Sequence, residues 1–536
     1  MQASSRSSRA LAETLGFSLP DLGPLSALAK IYGKNKKVGL DSAQLRLGDM
    51  DNPVVQAAGY IHDLPAMKGV KWDAQLHLDT RRVGAFADFP KLAELGAVTG
   101  RLSISDSDGT LGIDSLHLET EQSKLLGLKI DGSFDNFKDP STLILESSLN
   151  ARDLQLIGAI FDLAWPAIGP VQLDSQIKNS DHGTEIKSTL TAGQTEVQTT
   201  LKAVFNTTPM RINGTIEARK LIVPDLSEKA AERGKEKPSN KEPVFSRKPI
   251  AVDWLKKVDA DIAINVESFA QELSGAESAK FQVVLNSGML SIGPAHLVYP
   301  KGKLDIDLQL DTRNHPRLTF SAFGQKLDPW RTMDIEGHED EFEAELNVDM
   351  SVDTSGTTPH ELAANSQGSI YLTLQNGKIR TTLMDLVFMD LAGWVWRKTT
   401  NEKYYVFKCG VADFSIEQGV LSTKAFILDH KNIAITGAGT IDLGREEVEY
   451  VLLPKKKSSL IHKADPVKIA GPLNDPSVKA LPWKSAATTY GKYAGIIFAP
   501  YIFLPLTAAD FLVGNLKSKA VKSPCLEYQK SHKMKK

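Results

Sequence analysis

Strict alternation of apolar and polar residues is the strongest constraint this chain places on its own fold. In Leu304-Asp305-Ile306-Asp307-Leu308-Gln309-Leu310-Asp311 the two classes trade places at every step. Trp72-Asp73-Ala74-Gln75-Leu76-His77-Leu78-Asp79 does the same. Ile370-Tyr371-Leu372-Thr373-Leu374-Gln375 and Val448-Glu449-Tyr450-Val451-Leu452 follow less strictly. A period of two puts one side of a strand on apolar material and the other in water. The pattern predicts a large antiparallel sheet with one apolar face. Gln375-Asn376-Gly377 and Glu417-Gln418-Gly419 read as its turns, and Gly437-Ala438-Gly439 as a turn or bulge.

Helical stretches are few: Ala85 to Leu95, Leu154 to Ala164, Pro359 to Asn365 and Leu383 to Trp396. A weak repeat of about 70 residues links Leu78-Asp79-Thr80-Arg81 with Asn150-Ala151-Arg152-Asp153, each leading through a helix back to strands. Pro20-Asp21-Leu22-Gly23-Pro24 matches the Pro166 to Pro170 turn, so the chain reads as starting in mid-repeat. It is expected to be the C-terminal part of a longer protein or a truncated reading frame. Met1 to Leu15 has no apolar core of signal-peptide length. For a protein working outside the cytoplasm, the export signal would then lie outside this chain.

The expected organisation is a β-repeat region over 1–225, a linker or surface loop over 226–247 and a C-terminal β module over 248–482. An apolar, Pro-broken helical segment follows over 483–516, then a basic tail over 517–536. The linker is dense in Lys, Glu, Pro and Ser and cannot offset its ordering entropy. The tail carries seven lysines from Lys517 to Lys536 against the single Glu527. Such a tail beside an apolar stretch suits an anionic membrane surface, or is simply a solvated terminus.

Most chemistry is excluded. There is no HExxH, GxSxG, P-loop or paired Cys/His motif, and no enzyme, metal site or cofactor is predicted. The acidic run Asp334 to Glu345 reads as a solvated loop before it reads as a calcium site. A net charge of −2 gives no reason to expect nucleic acid. The two cysteines, Cys409 and Cys525, leave one disulfide or two free thiols open.

Four elements in order resemble the C-terminal part of AsmA-family proteins. They are Phe245-Ser246-Arg247-Lys248-Pro249-Ile250 before Trp254-Leu255, Gly368-Ser369-Ile370 with Gln375 to Ile379, Phe407-Lys408-Cys409 with Phe414 to Val420, and Gly437 to Leu443 followed by Pro466 to Pro476. The resemblance covers about Phe245 to Pro482. It implies an envelope protein, held at the inner membrane of a Gram-negative bacterium by an N-terminal anchor that this chain lacks, with its body in the periplasm. It implies a long, twisted, curved sheet forming an open groove, similar to bridge-like, chorein-type lipid carriers. The periodicity alone cannot separate such a groove from a closed sandwich core; the resemblance favours the groove.

On that reading the function is lipid transport or outer-membrane biogenesis without catalysis. The alternative is an assembly scaffold for outer-membrane proteins that carries no lipid. Expected partners are acyl lipids, a membrane surface and envelope assembly proteins. Acyl-contact candidates are Leu304, Ile306, Leu308, Leu310, Leu372 and Leu374. Membrane-contact candidates are Ile496, Ile497, Phe498, Tyr501, Phe503 and Leu504. Pro500, Pro505 and Asp510 argue for an interfacial hairpin or a plug over a membrane span. The resemblance adds a comparable Pro-broken stretch before a late cysteine, here Cys525.

Overall fold

The computed structural model describes residues 2–5, 23–34, 37–49, 51–79, 96–120, 126–160, 167–205, 207–221, 243–269, 276–328, 342–380, 404–430, 433–456, 466–480 and 523–531. Two compact units divide the chain, Met1–Pro224 and Asp225–Lys536. The expected helices over 85–95 and 383–396, the segment holding Ile496 to Leu504, and most of the linker, acidic run and basic tail lie outside the described residues.

Among its described residues the first unit holds thirteen strands: β1 (Gln2–Ser5), β2 (Leu25–Lys34), β3 (Lys37–Gly48), β4 (Pro53–Asp63), β5 (Lys68–Asp79), β6 (Ala97–Ser105), β7 (Gly112–Thr120), β8 (Leu126–Phe134), β9 (Leu143–Ala151), β10 (Val171–Lys178), β11 (Thr184–Ala192), β12 (Thr195–Val204) and β13 (Met210–Lys220). Each pairs antiparallel with the next in chain order. β1 and β13 do not pair with each other, so this sheet stays open.

A short helix, α1 (Leu154–Ile160), follows β9. Asp153 sets its start: its carboxylate accepts from the Leu156 N–H at 2.8 Å and from Arg152 Nε at 2.7 Å. Those two bonds, the Arg152 one first, hold the Asp153 carboxyl below the usual carboxylate range. The helix lies over one end of the apolar face, where Leu126, Ala151, Val171 and Ala192 are buried.

The second unit repeats the plan with β14 (Val258–Val266), β15 (Ser278–Asn286), β16 (Met289–Val298), β17 (Lys303–Asp311), β18 (Arg317–Leu327), β19 (Phe342–Ser355), β20 (Gln367–Arg380), β21 (Tyr404–Glu417), β22 (Val420–His430), β23 (Ile433–Asp442), β24 (Glu447–Lys456), β25 (Val467–Pro472) and β26 (Ser477–Ala480). These also pair antiparallel in chain order, and β14 does not meet β26. Helix α2 (Pro359–Ala364) sits between β19 and β20, capped by the Thr358 hydroxyl, which accepts from the Glu361 N–H at 3.1 Å. Helix α3 (Pro524–Ser531) closes the described chain.

The alternating windows become β5, β17, β20 and β24. Two expected turns do not. Gln375-Asn376-Gly377 lies inside β20 as a β-bulge: Asn376 has φ 51°, and the pairing with β19 shifts register there, between Glu343 and Glu345. The chain continues as strand on both sides, because β19 and β21 run past the bulge. Gly437-Ala438-Gly439 lies inside β23, in unbroken register with β24. A side chain on Gly437 would meet the rings of Tyr450 and Phe426, and one on Gly439 would meet the Glu449 carbonyl. These glycines make room across the ladder and do not turn the chain. Gln418 and Gly419 do form a hairpin turn, both with positive φ.

Gly368 opens β20 with φ +147°. A Cβ there would stand 1.9 Å from the Ser351 carbonyl oxygen, which is fixed in β19. Gly368→Ala is expected to lower stability by about 2–4 kcal/mol. Urea unfolding should show a lower midpoint with an unchanged slope.

The segment 243–257 is a strap along one row of strand ends in the second unit. The Val244 and Phe245 N–H groups donate to the Glu446 carboxylate, at 2.6 and 3.3 Å, in the β23–β24 turn. Next, His360 N donates to Ser246 O at 3.1 Å, and Ile250 N to Thr357 O at 2.9 Å, both at α2. The strap ends in a 3₁₀ turn, Asp253–Lys256, pinned by Leu255, which is 2% exposed.

Candidate functional site: a continuous apolar face

The register decides which side chains share a face, since paired residues on neighbouring antiparallel strands point the same way. In the second unit Leu304, Ile306, Leu308 and Leu310 of β17 pair with Leu297, Ala295, Ile292 and Leu290 of β16. On the other side they pair with Gly324, Ala322, Phe320 and Leu318 of β18. Val348, Met350 and Val352 continue the rows in β19, and Leu372, Ile370 and Gly368 in β20. The row Leu304–Gly324–Val348–Leu372 therefore joins the two groups of acyl-contact candidates on one surface, and Leu374 lies beside it opposite Leu346.

The same face extends to both ends of this sheet. Ile262 and Ile264 of β14 reach it through Val283 and Phe281 of β15. Ala412, Phe426, Tyr450, Ile469 and Val478 carry it from β21 to β26. All six candidates, Leu304 to Leu310 with Leu372 and Leu374, are half-buried, neither sealed as a core nor fully in water. Among the described residues of this unit no second sheet lies on that face. Burial is deepest at the margins, around Tyr299 and Leu327 at one and around Tyr450, Leu452 and Val467 at another.

The first unit carries the same kind of face. Trp72, Ala74, Leu76 and Leu78 of β5 pair with Ile104, Leu102, Gly100 and Val98 of β6. Leu149, Leu173 and Leu190 form one row through β9, β10 and β11.

The opposite face is polar in both units. Arg317 Nη2 donates to Asp353 at 2.9 Å and Thr319 Oγ1 to the same carboxylate at 3.1 Å. His296 meets Asp305 at 2.7 Å, and His117 meets Asp131 at 2.6 Å. The His117 bond, then one from Lys129, holds the Asp131 carboxyl below its ordinary range. In the first unit a cavity of about 580 Å³ is lined by Lys129, Asp131, Glu146, Asp174, Lys187 and further polar residues, away from the candidate positions. No cluster of three metal-ligating side chains occurs among the described residues.

One patch of the polar face departs from this rule. Cys409 and Val411 of β21, with Ala425 and Ile427 of β22, are 3% exposed or less and seat α3. Cys525 of α3 is disulfide-bonded to Cys409. Tyr528 Oη donates to Asp413 at 2.8 Å, Gln529 Nε2 to the Gly410 carbonyl at 3.2 Å, and Ser523 to Asp429. Tyr371 packs against this cluster with its hydroxyl buried and without a hydrogen-bond partner among the described residues. Burial first, then the Asp413 and Asp349 carboxylates, push it up to about 12.

The sequence held a signal for this seat. Cys409 to Ala412 and Ala425 to Leu428 are apolar without alternation, the mark of strands covered on both faces. The strap is legible in the sequence as a motif, but nothing in its pattern marks Trp254 and Ile250 as exposed.

These features define the class: long, open, antiparallel sheets, each with an apolar and a polar face. Comparison points to a family: the model of the AsmA family matches residues 218–426, and over that stretch the chain is similar to it. The AsmA family protein YhjG of Escherichia coli (strain K12) is 23% identical over 296 residues. The match covers 51% of this chain and 43% of that relative's length. AsmA-family proteins are envelope-associated. No helix among the described residues is long and apolar enough to cross a membrane.

Proposed function

We propose that the apolar face holds acyl chains, and that the protein carries lipid, a phospholipid foremost, between the membranes of a Gram-negative envelope without catalysing a reaction. The observation that carries this reading is the face itself. Its rows pair strand to strand from β16 to β20, where the face is half-buried, and apolar residues extend it towards β14 and β26. A sandwich core would seal such residues against a second sheet. Acyl chains fit instead, since each buried CH₂ contributes about 0.8 kcal/mol with no specific polar partner. The expected site is periplasmic and associated with the inner membrane. The Cys409–Cys525 bridge supports an oxidising compartment.

Native mass spectrometry of protein purified without detergent is expected to find co-purified acyl lipid. A folded, lipid-free protein that takes up no lipid from vesicles would end this reading. It would leave the assembly scaffold, for which capture of outer-membrane assembly proteins without lipid is the mark.

A further inference from the structure

The strap presents an apolar and basic surface that acyl carriage does not use. Its backbone is held at Glu446, Ser246, Thr357 and Leu255. Its tips are not held. Trp254 is 58% exposed and Ile250 is 43% exposed, although the next residue after Trp254, Leu255, is buried. Arg247, Lys248, Lys256 and Lys257 are exposed around them, and none forms an ion pair with a described residue. Asp253 is the one acid between Arg247 and Lys257. Single exposed apolar residues are ordinary on a protein surface. A tryptophan and an isoleucine on an anchored backbone, four residues apart and flanked by four exposed cations without an ion-pair partner among the described residues, form a patch with a chemistry of its own.

We propose that Ile250 and Trp254, with Arg247, Lys248, Lys256 and Lys257, form a docking site for the surface of an anionic lipid bilayer. Tryptophan settles at the headgroup level, where its ring is in apolar contact and its N–H stays in polar surroundings. Cations beside it gain from the negative surface potential, each by roughly a fivefold factor in affinity. The pairing of both on a fixed segment suits peripheral contact and not insertion. This site is separate from the acyl-binding face, and the proposal does not depend on that face carrying lipid.

The test is flotation of the full chain with vesicles of phosphatidylcholine alone, and with about one third phosphatidylglycerol added. Wild type is expected to float with the anionic vesicles and not with the neutral ones. Ile250→Ser with Trp254→Ser should lower that binding at least about tenfold. Arg247→Gln, Lys248→Gln, Lys256→Gln and Lys257→Gln together should lower it about a hundredfold or more. All these side chains are exposed, so the unfolding midpoint should not move, and lipid co-purified in the wild type should remain. Lys533→Gln, Lys535→Gln and Lys536→Gln in the tail should leave the strap-dependent part of binding intact. Equal binding to neutral vesicles, or binding lost only in the tail variant, overturns the proposal. So does a wild type that binds no vesicle while its strap captures an envelope protein, which would make the strap a protein-docking site.

Discussion

Replacing both cysteines, Cys409→Ala with Cys525→Ala, is expected to cost about 4 kcal/mol in the second unit and to free α3 from the sheet. The bridge joins positions 116 residues apart. Closing a loop of about 100 residues removes roughly 4–5 kcal/mol of unfolded-chain entropy. Helix α3 has only eight residues, too few to persist alone. Its seat would then lie open, with Val411, Ala425 and Ile427 in water and Tyr528 no longer donating to Asp413. Denaturant unfolding should show the lower midpoint, and hydrogen exchange should show loss of protection over 523–531. Alkylation of the wild type without reductant should label neither cysteine. Protection over α3 that survives the double substitution would mean that the polar contacts suffice to hold it.

Leu308→Asp should abolish lipid retention and leave the protein folded. Leu308 pairs with Ile292 and Phe320 in the middle of the apolar face and is half-buried. A carboxylate there can keep water while the face is empty, so the stability cost should stay within about 1–3 kcal/mol. An acyl chain laid over it would have to strip that water, and desolvating an unpaired charge costs far more than a few CH₂ groups return. Bound lipid should fall at least about tenfold by native mass spectrometry. Asp307→Asn, one residue away and on the polar face, should change neither lipid nor fold. Unfolding of Leu308→Asp in place of lipid loss would show that the face is a closed core.

Local pattern foretold the strands and their apolar sides, because alternation is a property of each strand alone. Leu304 to Leu310 could be placed on one face of β17 from eight residues of sequence. That Leu372 shares this face could not. It depends on the pairings through β18 and β19, including a register shift between Gly324 and Leu327. Glycine misled twice for the same reason. Gly377 beside Asn376 and Gly437 beside Gly439 look like turns locally, and only the neighbouring strands decide that one is a bulge and the other a space for Tyr450. The choice between a disulfide and free thiols at Cys409 and Cys525 was likewise set by distant packing, in the seat of α3.

Whether the apolar face is open to acyl chains is tested most directly by face-resolved photo-crosslinking. A photoreactive phenylalanine analogue is placed in turn at Leu308 and Leu372 on one face, and at Asp307 and Thr373 on the other, in cells fed a labelled fatty acid. Lipid adducts at Leu308 and Leu372, with none at Asp307 or Thr373, are the predicted result. Adducts equal on both faces, or absent from Leu308 and Leu372 in a folded protein, would contradict the account.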